Sequence, residues 1–313
     1  MRHSVLIPVL SLAGALSALA SVDTGLLSLV PAEAKMIGAV DVTRARSSEF
    51  GQYVLSKAQT EDQHFQEMVE QTGFDPRRDL QYLMFAANGE AAGKPSSFAI
   101  LARGNFDPDR MRLLATSKGA TIVNYRGLDL IVHAEEKGQR TAIGFPEVGV
   151  AVLADLDTLK VVIDNRTTPS TLDATLQSRI YSVGNANDAW YVSLTGVGFL
   201  ADHIPSDGLP QAKALQGVLQ SSGGVRLGST IETTFDAITR SPQDATSFAD
   251  VIRFFASMVQ MQRQNDPRAG ILAASLDAMT LQTSGATVHF AVSLPEKSLE
   301  QLAEAGPHVM GGH

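Results

Sequence analysis

The chain has 313 residues, is 44% hydrophobic and 19% charged, and contains no cysteine. Those proportions belong to a globular protein with one full core or two smaller ones, and they exclude a disordered chain. A net charge of −8 with no basic run argues against nucleic acid as a partner, and the missing cysteines exclude disulfides, thiolate metal sites and cysteine nucleophiles.

The first feature is Arg2-His3 followed by an uncharged stretch from Val5 to Ala20, with small residues at Ala18 and Ala20. That is the layout of a signal peptide, so residues 1–20 are expected to be removed after Ala20 and the product to be periplasmic or secreted. The alternative is an uncleaved anchor, since the uncharged run reaches Val22. Pro8 and a run shorter than the ~20 apolar residues of a span favour cleavage. No later stretch is long and apolar enough to cross a membrane, so no membrane span is expected after cleavage.

Residues 26–182 read as one α+β unit. Leu26 to Pro31 is apolar, and Ile37 to Val42 has the pattern of a first core strand. Helices are expected from Ser47 or Ser48 to about Ala58, with Phe50, Val54 and Leu55 inward, and from Asp62 to Gln71. Phe74-Asp75-Pro76-Arg77-Arg78 and Phe106-Asp107-Pro108-Asp109-Arg110 are near copies. Asp before Pro starts a helix by capping free amides, and the Phe can pin the incoming chain. The arginines as a ligand clamp are the functional alternative. Strands follow at 82–87 and 97–103, then a helix from Asp107, then four short strands between Thr121 and Leu153 and helices opening at Asp155 and Ser170.

Val183 to Asp188 marks an internal boundary, and residues 188–306 read as a second α+β unit. Ala189 to Leu194 is a strand with Trp190, Val192 and Leu194 on one face. Gly196–Ala201 and Pro210–Leu219 read as helical. Gly223-Gly224 suggests a turn or bulge before a long strand from Val225 to Ala237, whose apolar residues alternate with charged ones. Ser241-Pro242-Gln243-Asp244 opens a helix with an apolar stripe through Phe248, Val251, Ile252, Phe255, Met258 and Val259. Met258 and Met261 read as core filler. A hairpin around Ser284-Gly285 and a helix from Glu296 to Ala305 close the unit, and 307–313 is expected to be a disordered tail. Fold class is therefore α+β, antiparallel sheets packed against helices, in two similar units whose shared element order suggests a duplication.

The motifs of phosphate, dinucleotide, zinc-protease and nucleophile-elbow chemistry are absent. His133 with Glu135 and Glu136 is the nearest thing to a metal or acid–base cluster, but two ligands on one strand face do not make a zinc site. Asp202-His203 has the composition of part of a triad, without a serine tied to it by spacing. His289 falls on the outer face of its strand. The pairs Asp107/Asp109 and Asp155/Asp157 stand at helix starts, where the dipole alone favours acids. No catalytic, cofactor-binding or metal-ligating residue is assigned, and no cofactor is expected.

The runs Leu27–Val42, Ser48-Glu-Phe-Gly51, Thr72–Leu80 and Ser222–Gly228 resemble a group of uncharacterised exported bacterial proteins. The resemblance implies export and fold class, and no activity. The expected function is a non-catalytic binding or accessory protein of the cell envelope, taking an envelope protein or a small ligand on the sheet face or between the units. The alternative is a periplasmic hydrolase or metal-dependent enzyme whose site assembles only in the fold.

Overall fold

The computed structural model describes residues 22–58, 63–89, 97–133, 140–196 and 214–304. The expected signal peptide, Glu135, Glu136, Asp202, His203, the helix over 197–201 and the tail lie outside those residues.

The fold is α+β. The strands are β1 (Met36–Asp41), β2 (Leu80–Ala87), β3 (Phe98–Gly104), β4 (Thr121–Tyr125), β5 (Leu128–Val132), β6 (Thr141–Glu147), β7 (Val150–Asp155), β8 (Ala189–Ser193), β9 (Val218–Arg226), β10 (Thr230–Thr239), β11 (Thr280–Ser284) and β12 (Thr287–Pro295). They form one antiparallel sheet in the order β11-β12-β10-β9-β8-β1-β2-β3-β7-β6-β5-β4. Where two sheets could have formed, β1 pairs with β8 and carries the sheet across the join, Ala39 opposite Trp190. Each half begins with a three-strand meander. Each then sends a helical excursion out and brings its last strand back beside its third, β7 to β3 and β12 to β10.

The described helices are α1 (Thr24–Leu29), α2 (Val42–Ser47), α3 (Glu49–Ala58), α4 (Gln63–Thr72), α5 (Pro76–Asp79), α6 (Pro108–Ser117), α7 (Leu156–Asp164), α8 (Ala174–Gly184), α9 (Pro242–Gln262), α10 (Pro267–Leu276) and α11 (Glu296–Glu304). Their starts follow one device. Asp23, Asp41, Asp75, Asp107, Asp155, Asp173, Ser241 and Asp266 each accept a backbone amide of the first turn. Four of these helices also carry Pro at their first positions, where a missing N–H costs nothing.

The helices cover opposite faces in the two halves. In the first half α1, α7 and α8 bury Leu26, Leu159, Val162, Leu176 and Ile180 against Ile37, Ala39, Met84, Leu101, Val152 and Trp190. In the second half α9 buries Ala245, Phe248 and Ala249 against Ala237, Val288 and Phe235. Phe235 stands opposite Gly223, Gly223 opposite Tyr191, Tyr191 opposite Gly38, and Gly38 opposite Phe85. Residues paired across strands share a face, so Phe235 lies on the side of the sheet away from Trp190 and Ala39. Each fully buried aliphatic side chain contributes about 1.5–3 kcal/mol, so both cores matter to the whole.

Several expectations need correction. The long strand expected over Val225–Ala237 is a hairpin: β9 ends at Arg226 and β10 starts at Thr230, with Leu227, Gly228 and Ser229 between. The alternation ran unbroken through the turn and hid it. Gly223 and Gly224 sit inside β9 and not in a turn before it, because only glycine leaves room there. Of the helix expected over 210–219, residues 210–213 lie outside the described ones; Ala214 and Leu215 are helical, and the strand has begun by Val218, which pairs with Thr239. The apolar stripe of α9 is also only half used. Phe255 and Met258 are exposed, and Met261 is 73% exposed, because the second half of α9 leaves the sheet and packs on α10. Val54 on α3 likewise faces outward.

Candidate functional site

The face of the middle strands that no described helix covers forms a groove with a volume of about 410 Å³. Its walls and floor include Val40, Leu83, Phe85, Ile100, Tyr191, Gly223, Val225 and Phe235, from β1, β2, β3, β8, β9 and β10. Phe85 is 39% exposed although it stands mid-strand on a central strand. A half-buried antiparallel sheet normally turns polar residues to the uncovered side. Here the uncovered side is apolar, and that departure marks the groove as a candidate site.

Two glycines shape the floor. A Cβ on Gly38 would run into the Phe85 ring and lie 2.9 Å from the Trp190 carbonyl oxygen. A Cβ on Gly223 would lie 2.7 Å from the Thr234 carbonyl oxygen and 3.2 Å from Tyr191 Cε1. The rings of Phe85 and Tyr191 therefore lie down across the neighbouring strands' backbone where a side chain would prop them up. Across five adjacent strands the floor alternates ring and glycine: Phe85, Gly38, Tyr191, Gly223, Phe235.

On the same face, two residues before Gly223, Ser221 is 1% exposed and its hydroxyl has no partner in hydrogen-bond geometry. Burial pushes the Tyr191 hydroxyl's pKa up, and Ser221 beside it pulls it partly back. Tyr191 lines the groove, whereas Ser221 stands opposite Ala237 of the second core and does not.

A second concavity, about 440 Å³, opens at the strand ends and is lined by Arg44, Glu49, Asp188, Ser229 and Glu296. Its charges hold the two halves together. Asp188 is buried, its Oδ2 accepts the Leu227 amide at 2.7 Å, and Arg44 Nε lies 2.7 Å from its Oδ1 at an angle suited to an ion pair more than a hydrogen bond. Glu296 accepts the amide of Phe50, tying α11 to the start of α3. Burial pushes the Glu296 carboxyl up; the Phe50 amide opposes this, and Glu49 and Glu300 reinforce it.

The residues singled out in the sequence fall elsewhere. His133 is exposed at the end of β5. Among the described residues no group of three His, Asp or Glu is placed to hold a metal ion. The Arg77 and Arg78 guanidiniums are engaged by Asp75 and Asp79, each with two contacts of 2.7–2.9 Å, and Arg110 donates to the Gln71 and Glu70 carbonyls. They build helix starts and not a ligand clamp, and Phe74 and Phe106 of the two copies stack with centroids 4.9 Å apart. Asp107 and Asp155 cap helices; Asp109 and Asp157 pair with Arg112 and Lys160. His289 Nδ1 lies 2.8 Å from Asp236 Oδ1, and Asp236 stands opposite Ser222. The acid sits between serine and histidine, so His289 is not interposed to take the serine's proton as a triad requires. Among the described residues no helix is long and apolar enough to cross a membrane.

No family model matches the chain, and no curated protein matches its sequence. Solved structures do match. Crystal form III of TP0453, from Treponema pallidum, aligns over 89% of this chain and 97% of its own, with a TM-score of 0.51 at 9% identity. The chain is similar to TP0453 in fold. Crystal forms I and IV of TP0453 align over 89% and 88% of this chain at 10% identity, with TM-scores of 0.47 and 0.48. At this identity the likeness concerns the path of the chain and transfers no residue role. TP0453 gives a solved example of the architecture, and the groove must be argued from this chain's own side chains.

A ligand was expected on the sheet face or between the units, but no residue of the groove was assigned to it. A signal was present in Gly38, a glycine inside a strand, and in the adjacent Gly223-Gly224. Which rings those glycines accept depends on strand order, which the sequence does not display.

Proposed function

We propose that this is an exported, non-catalytic binding protein and that the groove on β1, β2, β3, β8, β9 and β10 holds an apolar small ligand. The observation that carries this is an apolar, ring-paved concavity on the uncovered face of the sheet. Its volume lies in the range of small-molecule sites, and the open face would otherwise turn polar side chains to water. The groove straddles the β1–β8 join, so the proposed division into units 26–182 and 188–306 would place the ligand where both contribute. Export is proposed from the signal peptide of residues 1–20.

The test is fluorescence titration with N-phenyl-1-naphthylamine, which brightens in apolar surroundings. The mature protein should show saturable binding at one site. Ile100→Glu places a charge on the half-buried floor and should abolish it while leaving the far-ultraviolet circular dichroism unchanged. Equal binding by that variant would contradict the assignment of the groove.

A further inference from the structure

We infer that the groove selects a flat ring system, aromatic or polycyclic. This rests on the groove being the binding site and narrows what binds there.

The first ground is the shape of the floor. Phe85 and Tyr191 stand two strands apart, about 10 Å, and each ring reclines over a glycine of the next strand. They present faces to the groove. Aromatic faces attract other ring systems in offset or edge-on geometry beyond what burial alone gives. Phe235 continues the paving, with its own ring held 6.0 Å from Phe248 of α9.

The second ground is that the groove is open on one side. A flexible alkyl chain lying on such a floor is touched along one side only, yet must give up its torsional freedom to lie flat. A rigid plane meets the same floor with its whole face and has no torsions to lose. An enclosed tunnel would reverse that preference; this surface favours the plane.

The experiment compares two ten-carbon alcohols, 2-naphthol and 1-decanol, as competitors of N-phenyl-1-naphthylamine on the mature protein. We expect 2-naphthol to displace the dye at a concentration at least tenfold lower, although decanol has more apolar surface. Phe85→Leu removes a ring face and keeps an apolar side chain; it should weaken 2-naphthol about tenfold and leave decanol within twofold. Decanol competing as well as 2-naphthol, or both falling together in Phe85→Leu, would overturn the ring selectivity and leave the groove assignment standing. No saturable dye binding by the wild-type chain would overturn both.

Discussion

The ring of Phe85 lies across the backbone of Gly38, in the space where any other residue would place its Cβ. The two residues face each other on β2 and β1, and the pair sets the depth of the groove. Gly38→Ala would bring a methyl group against the ring and within 2.9 Å of the Trp190 carbonyl oxygen, which as backbone cannot swing aside. Overpacking of this kind costs about 1–3 kcal/mol. Urea unfolding of Gly38→Ala should show that loss, and dye titration should show weaker binding as Phe85 is lifted. A variant as stable as wild type with unchanged binding would show that the ring does not need the glycine.

Asp23 and Arg103 fasten α1 to β3 through Nε–Oδ2 and Nη2–Oδ1 contacts, the latter 3.0 Å. Burial pushes the Asp23 carboxyl up, but the Arg103 hydrogen bond, the Leu26 amide and the guanidinium charge together hold it below the usual carboxylate range. A lowered folded pKa means stability that is present above the unfolded value, near 3.9, and lost as pH falls through the folded one. Arg103→Ala removes the partner and leaves the burial. It should cost about 2 kcal/mol at pH 7, less than a fully enclosed pair because Arg103 is partly exposed, and the deficit should shrink in acid. Chemical denaturation at pH 7 and pH 3.5 measures both.

Glu296 shows the opposite sign. Its folded pKa is raised, so the contribution of its contact with α3 is full below the unfolded value, near 4.3, and declines as pH rises through the folded one. Glu296→Gln keeps an oxygen for the Phe50 amide and removes the charge. Its thermal midpoint should equal or exceed wild type at pH 7 and match it near pH 4. A lower midpoint at pH 7 would mean the ionised carboxylate is the stabilising form.

Burial separates two apolar helix positions. Leu26 on α1 is fully enclosed, whereas Met261 on α9 is 73% exposed. Leu26→Ala should cost about 2–5 kcal/mol in urea unfolding, as core truncations do. Met261→Ala should stay within about 0.5 kcal/mol. Equal effects would contradict the packing of α1 under the sheet.

Most elements were legible because their signals are local. β4 begins at Thr121, where the run of four short strands was expected to start, and the Asp-Pro and Ser-Pro starts of α5, α6 and α9 mark the helices they cap. A third Asp-Pro start, Asp266-Pro267, opens α10 by the same local device. What stayed hidden depends on distant pairing. Period-two patterning gives a strand's two faces but not which one a helix covers, and here that differs between halves. Phe85 and Gly38 are 47 positions apart, Tyr191 and Gly223 are 32, and only their register brings ring over glycine. The helical stripe likewise assigned Met258 and Met261 to the core, when α9 outruns the sheet that would have buried them.

The groove assignment is tested most directly by energy transfer from Trp190, the chain's one tryptophan, whose backbone carbonyl oxygen lies beside Gly38 on the floor. Bound N-phenyl-1-naphthylamine should quench Trp190 emission and brighten in proportion, with one-site saturation, and both signals should vanish in Ile100→Glu. Saturable dye binding that leaves Trp190 emission untouched would place the ligand elsewhere on the molecule and contradict the account.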